Sequence, residues 1–264
     1  METLIRAGRA FYGLGIAGIG IQQFIYSEFR PVLLAYWPSW MPDLNIWAYG
    51  IGAALILAGT IIIFYQKARM ISLILGGFFL LLFVCSHVYY QLFLSPYDFH
   101  LGSWTDGLKE LTLSGGALVI AVSYPEEIPT AANKLFLTSG RIFFSIMLIA
   151  FGIDHFLYTE FVATLVPGWM PGHIFWTYFA AIALIGSGVC ILLKIKIQSA
   201  SILLGVMLFL WFIILHIPRA ITDPHSGKGN EITSVFEALA FSGIAFVIAG
   251  IYHNKTRQKD LSAA

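Results

Sequence analysis

Residues 38–65 read PSWMPDLNIWAYGIGAALILAGTIIIFY, and residues 167–193 read PGWMPGHIFWTYFAAIALIGSGVCILL. Both stretches begin with P-x-W-M-P, continue with W-x-Y, and then stay apolar over a length that can cross a bilayer, which takes about 20 residues. An ordered motif that occurs twice indicates the internal duplication of a membrane-spanning unit.

The duplication extends over most of the chain. Gly8-Arg9 recurs as Gly140-Arg141, and His87 matches His216. Near the end of each copy, Pro96, Thr105, Ser114 and Gly115 match Pro224, Thr233, Ser242 and Gly243. The sequence therefore predicts a first repeat over residues 1–126, a cytoplasmic linker over 127–138, and a second repeat over 139–264 that ends in a short basic tail.

The composition assigns the chain to the membrane class. Its residues are 58% hydrophobic and 11% charged, whereas a soluble domain carries about 25% charged residues. So few charges cannot cover a surface that faces water, so lipid must solvate much of the chain. The net charge of +1 gives no electrostatic reason to expect a nucleic-acid partner.

The apolar runs predict an all-α, polytopic membrane protein with eight transmembrane helices, arranged as two parallel four-helix-bundle repeats. Lysines and arginines number eleven on one side of these spans and four on the other, which places both termini in the cytoplasm. The predicted spans are about 8–26, 46–65, 70–94, 108–124, 139–158, 173–193, 198–217 and 232–252.

Ionisable side chains inside a membrane are costly, and each is a functional-site hypothesis. In this chain they concentrate near the non-cytoplasmic ends of the helices, which predicts a polar pocket that opens outward. The second repeat is richer, because it has Asp154-His155 where the first has Gln22-Gln23. The predicted pocket residues are Asp154, His155, Glu160, His216, Arg219, Glu237 and His87.

The residues alone leave the role of each polar group open. His87 and His216 either hydrogen-bond across helices or serve a ligand or proton chemistry. Arg219 and Glu237 fit either a structural ion pair or a functional role at the pocket, and Asp154 fits either an imidazole-orienting role or a hydrated helix end.

The sequence identifies no cofactor motif. It contains no nucleotide-binding or phosphate-binding motif. It also contains no H-x-x-x-H motif, so whether the chain binds a metal, and through which residues, stays unknown. Cys85 and Cys190 form no C-x-x-C, which argues against a dithiol relay but leaves a single bridge open.

The chain resembles a tandem-repeat subgroup of the DoxX-like family of integral membrane proteins. The residues that carry the resemblance are the Gly-Arg pairs that open each repeat, the Ser-Gly motifs of the fourth helices, D-H-F-x-Y at 154–158, P-x-W-M-P-G-H at 167–173, and H-x-P-R at 216–219. The resemblance implies a bacterial cell membrane and a membrane subunit of a quinone-linked oxidoreductase, with quinone as the possible cofactor and a redox subunit as the partner.

Two other functions fit the same pattern of residues. One is a non-enzymatic protein that binds or carries a lipid or another small apolar molecule. The other is an assembly subunit whose polar residues only hold helices together.

Overall fold

The computed structural model describes residues 1–35, 45–96, 100–125, 131–225 and 229–263, and all regular secondary structure within these ranges is helical. The prediction of an all-α protein is therefore confirmed. The first P-x-W-M-P copy, at 38–42, and part of the predicted linker, at 126–130, lie outside the described residues.

The helices follow the predicted spans closely. Helix α5 begins at Ala131, inside the segment assigned to the linker, and the last helix continues into the basic tail. The helices are α1 (Glu2–Tyr26), α2 (Asn45–Phe64), α3 (Arg69–Leu82), α4 (Thr105–Ser123), α5 (Ala131–Leu157), α6 (Thr159–Leu165), α7 (His173–Leu193), α8 (Ile197–Trp211), α9 (Ile217–Thr222) and α10 (Asn230–Ala263).

Two helices end in π-helical turns at matching positions of the two sequence copies. Helix α3 continues through Phe83–Val88 and Tyr90–Leu94, and α8 continues through Phe212–His216. His87 and His216 both lie in these turns. A π-helical turn inserts extra backbone into a helix and is frequent at functional sites.

Six helical stretches of the described chain are long and apolar enough to cross a membrane. Large apolar side chains also face outward, such as Ile46 at 84% exposure and Phe64 at 79%. Such a surface is stable in lipid, so the fold is that of a membrane protein. The six are Asn45–Phe64, Arg69–Leu94, Ala131–Leu157, His173–Leu193, Ile197–Thr222 and Asn230–Asn254.

Helices α4 and α10 occupy the centre of the molecule. Helix α1 packs along α2 and α10, whereas α5 packs along α7 and α4. Helix α3 packs on α4, and helix α8 packs on α10. The first helix of each sequence copy therefore packs on the fourth helix of the other copy.

Close helix contacts recur in pairs. The Ser114 hydroxyl donates a hydrogen bond of 2.8 Å to the Gly76 carbonyl, and the Ser242 hydroxyl donates one of 2.8 Å to the Gly205 carbonyl. Glycines allow these backbones to approach, as they commonly do between membrane helices. A Cβ atom on Gly243 would lie 2.5 Å from the Gly8 carbonyl oxygen.

The paired arginines bind helix ends. Arg9 Nε donates to Ser123 Oγ at 2.8 Å, and Arg9 Nη2 also donates to the Ser123 carbonyl at the end of α4. Arg141 Nη1 donates to the carbonyls of Ile191, at 2.6 Å, and Leu192 at the end of α7. A cation at this position satisfies carbonyls that have no partner within the helix.

Candidate functional site

A cavity of about 750 Å³ lies at one end of the helical bundle. Its walls come from the first turns of α4, α7 and α10 and from the last turns of α5 and α8 with its π-helical extension. Ligand pockets in proteins measure roughly 300–1,000 Å³, so the cavity has the size of a small-molecule site.

Most of the cavity wall is apolar. Aromatic rings and aliphatic side chains from α5, α7, α8 and α10 line its length, and the short helix α6 covers one side. An apolar wall of this size favours a ligand with a substantial apolar part. Among the lining residues are Met147, Leu148, Phe151, Phe161, Leu165, Leu184, Leu208, Trp211 and Phe241.

A small set of polar groups shares this cavity. Asp154 and His155 of α5 line it, together with His216 and Glu237. The fold thus brings together four of the seven residues that the sequence singled out. Their common position follows from the geometry, because the last turns of α5 and α8 and the first turns of α10 lie at the same end of the bundle.

The strongest electrostatic contact at the cavity joins α4 to α10. Lys109 Nζ lies 3.0 Å from Glu237 Oε2 and 3.3 Å from Asp106 Oδ1. The Lys109 and Glu237 side chains are only 10% and 3% exposed, so little water screens the pair. Lys109 and Glu237 also occupy matching positions of the two sequence copies, which places this ion pair between the two central helices.

Asp154 and His155 are neighbours in sequence but do not bond to each other in the described structure. His155 Nδ1 hydrogen-bonds with the Phe151 carbonyl at 2.7 Å, so it must donate the proton and leave Nε2 as the acceptor of the neutral ring. Asp154 Oδ1 is buried without a hydrogen-bond partner. The carboxylate therefore does not orient this imidazole.

The ion pair between Arg219 and Glu237, one of the two alternatives for these residues, is not formed among the described residues. Arg219 forms a two-pronged ion pair with Glu231, at 2.9 and 2.5 Å, outside the lining of the cavity. Glu231 lies in the first turn of α10, next to α9, whereas Glu237 points to α4 and Lys109.

Glu160 and His87 also lie away from the cavity. Glu160 is exposed in the first turn of α6. His87 Nε2 lies 3.4 Å from Glu110 Oε2 and 3.3 Å from the Val32 carbonyl oxygen, within the other half of the molecule. His87 thus contacts neighbouring helices and backbone, which fits the structural alternative for this residue.

The described part of the segment after α1 lies half-buried or buried in the first half of the chain. The segment after α1 folds inward, and Arg30, Val32 and Leu33 are each 0% exposed. The Arg30 guanidinium lies 4.2 Å from the centre of the Tyr26 ring. The matching tyrosine of the second half, Tyr158, instead lines the open cavity.

Several lining residues were absent from the sequence-based set. The His100 ring stacks on the Tyr158 ring at 4.3 Å, and Thr177, Trp176 and Lys109 also face the cavity. The sequence repeat could have identified Lys109 as a pocket residue, because Lys109 matches Glu237. His100 gave no such signal, because it comes from a loop between helices.

The described residues contain no group of three or more His, Cys, Asp or Glu side chains arranged to hold a metal ion. Cys85 and Cys190 are both free thiols, so the bridge that the sequence left open is not formed.

Comparisons with known proteins give no match: no protein-family model, no curated protein and no solved structure corresponds to this chain. The DoxX-like resemblance therefore stays a prediction. The functional argument rests on the geometry of the cavity.

Proposed function

We propose that the protein is an eight-helix membrane protein of the DoxX-like type that binds a quinone-type molecule in the cavity of its second half. In this role it serves as the membrane subunit of a quinone-linked oxidoreductase in the bacterial cell membrane. The isoprenoid part of such a ligand would lie along the apolar wall, and the ring would lie against the polar groups.

One observation carries this proposal. The cavity combines a long apolar wall with a small cluster of polar side chains, namely Asp154, His155, His216 and Glu237. An amphipathic ligand matches this division, since its tail loses contact with water while its headgroup finds hydrogen-bond partners.

Two further helices complete the proposed eight spans. Helix α1 has 25 residues and α4 has 19, so each covers about 28 Å or more of the bilayer at 1.5 Å per residue. Their charges separate them from the six apolar stretches. Lys109 and Glu110 of α4 are buried inside the bundle, so α4 does not expose these charges to lipid.

The paired contacts support a two-fold repeat. The bond from Ser114 to Gly76 recurs as the bond from Ser242 to Gly205. In this arrangement α1 packs on α2 of its own half and on α10 of the other, and α5 packs likewise on α7 and α4. Tyr158 of the second half lines the open cavity, whereas the matching Tyr26 lies against the buried guanidinium of Arg30.

The proposed redox role requires a partner, because the function of a quinone-linked subunit includes an electron donor. We propose that this donor is a separate redox subunit that approaches the cavity end of the bundle. The positive-inside count assigns that end to the non-cytoplasmic side.

A non-enzymatic binding or carrier protein is the second candidate. The predominance of aromatic and aliphatic side chains around the cavity favours it. Both candidates need the cavity to be occupied. They differ in whether the bound molecule changes its redox state in the presence of a donor.

Blocking the cavity tests the shared requirement. Ala180 lines the cavity from α7 and is 3% exposed, so Ala180→Leu would fill part of the ligand space. We expect this change to weaken the binding of a short-chain ubiquinone analogue by about tenfold or more. The readout is quenching of tryptophan fluorescence in the purified protein, because Trp176 and Trp211 line the cavity.

Ala183→Leu is the matched control. Ala183 lies almost one turn further along the same helix and does not line the cavity. The Ala183→Leu variant should bind the ubiquinone analogue with the wild-type affinity. Equal affinity of the wild type and both variants would contradict binding in this cavity, and undetectable binding to the wild type would contradict the quinone-type ligand.

A further inference from the structure

The cavity contains carboxylate oxygens that nothing in the described protein satisfies. Glu237 is 2% exposed, and its Oε1 atom has no hydrogen-bond partner, although Oε2 is bound by Lys109. Asp154 Oδ1 is likewise buried and without a partner. An ionised carboxylate can only accept hydrogen bonds. Each of these two oxygen atoms can therefore accept a hydrogen bond from a ligand in the cavity.

Four donor groups of the same wall are already engaged. Lys109 Nζ contacts two carboxylates, and His155 Nδ1 donates to the Phe151 carbonyl. The Thr177 hydroxyl donates to the His173 carbonyl at 3.0 Å, and Trp176 Nε1 donates to the Pro171 carbonyl at 3.2 Å. His216 Nδ1 is a further buried atom of this lining without a partner in the described protein, and a neutral imidazole nitrogen either donates or accepts a hydrogen bond. The two carboxylate oxygens can only accept one.

We propose that the cavity selects a headgroup that donates hydrogen bonds, and specifically the hydroquinone form of its ligand over the quinone form. The inference rests on the proposed quinone-type ligand and adds which redox form is bound. Asp154 and Glu237 are the specificity-determining residues, because each accepts a hydrogen bond from a ring hydroxyl.

The chemistry of the two ring forms explains the selection. A hydroquinone carries two hydroxyl groups that can donate to carboxylate oxygens, and bonds to a charged acceptor are the stronger kind. A quinone carries only carbonyl oxygens, which would face the carboxylate oxygens as acceptor against acceptor. Sites built to hydrogen-bond a hydroxyl reject analogues without a donor by factors of up to about 10⁴–10⁵.

Binding of both redox forms of one short-chain ubiquinone analogue tests the inference. Under anaerobic conditions, we expect the wild-type protein to bind the reduced form at least about tenfold more tightly than the oxidised form. In Asp154→Asn, the carboxamide can donate to a ring carbonyl, so the preference should shrink by about tenfold or reverse. Glu237→Gln should shift the preference in the same direction.

Glu160→Gln is the control, because Glu160 is an exposed acid outside the cavity lining, and it should keep the wild-type preference. Equal affinity of the wild type for the two forms, or a preference that survives both cavity variants, would overturn the inference and leave the proposed function standing. If neither form binds, the proposed function falls as well. Folding of each variant is verified by its thermal transition, and the comparison of two ligands on one variant does not depend on its stability.

Discussion

At the scale of single residues, the contact between Lys109 and Glu237 makes a specific prediction for stability. The two side chains are nearly fully buried and 3.0 Å apart. Removing one partner of such a pair leaves an uncompensated charge inside the protein, which costs about 3–5 kcal/mol. We therefore expect Lys109→Met to lower the unfolding free energy by this amount, measured by denaturant titration in detergent.

The double variant Lys109→Met/Glu237→Met should recover most of this loss, because it removes both charges together. Lys67→Met is the control, since Lys67 is exposed and should change stability little. If the single and double variants are equally unstable, the two residues are not coupled as the structure indicates.

The sequence could predict which residues are polar within the membrane, but not which of them meet. Asp154, His155, His216 and Glu237 do share a cavity. The partner of Arg219 could not be predicted, because the choice between Glu231 and Glu237 depends on how α9 and α10 lie against α4. Such long-range packing has no local sequence signature.

At the scale of helices, close glycine contacts hold the central elements together. A Cβ atom on Gly243 would lie 2.5 Å from the Gly8 carbonyl oxygen and 2.8 Å from the Tyr12 amide nitrogen, so α1 and α10 would have to separate. We expect Gly243→Ala to reduce the unfolding free energy by about 1–3 kcal/mol, as overpacking does. Thermal unfolding in detergent measures the effect.

Gly186→Ala is a matched control within another membrane helix. No atom lies within 4 Å of a Cβ placed on Gly186. This change should be neutral or should stabilise the helix by about 0.5–1 kcal/mol, because alanine loses less conformational entropy than glycine. Equal loss in both variants would contradict the close approach of α1 and α10.

Helix positions were predictable because each apolar run is long and bounded by polar residues. The run predicted at 46–65 corresponds to Asn45–Phe64, and the run at 173–193 to His173–Leu193. The early start of α5 at Ala131 was not, because Asn133 and Lys134 interrupt the apolar sequence in its first turn. The π-helical turns carry no sequence signal that periodicity can detect.

At the scale of the whole molecule, the proposed eight spans make a specific prediction for sidedness. Helix α1 separates Glu2 from Ser27, and α4 separates Ser95 from Lys134. Single cysteines at these four positions, in a Cys85→Ser/Cys190→Ser background, should be labelled from opposite sides within each pair. The measurement uses a membrane-impermeant maleimide on intact cells and on inverted vesicles.

Labelling of Ser95→Cys and Lys134→Cys from the same side would show that α4 does not span the membrane. Labelling of Glu2→Cys and Ser27→Cys from the same side would show that α1 does not span the membrane. Labelling of Glu2→Cys from outside the cell would contradict the cytoplasmic placement of the N-terminus, which follows from the distribution of lysine and arginine.

The central claim is that the cavity of about 750 Å³ holds a small amphipathic molecule in the membrane. Mass spectrometry of organic extracts from the purified protein tests this most directly, with Ala180→Leu as the comparison. The account predicts a quinone-type molecule, near one per chain, in the wild type and in Ala183→Leu, and its loss from Ala180→Leu. Extracts that contain only bulk phospholipid, in equal amounts for all three proteins, would contradict it.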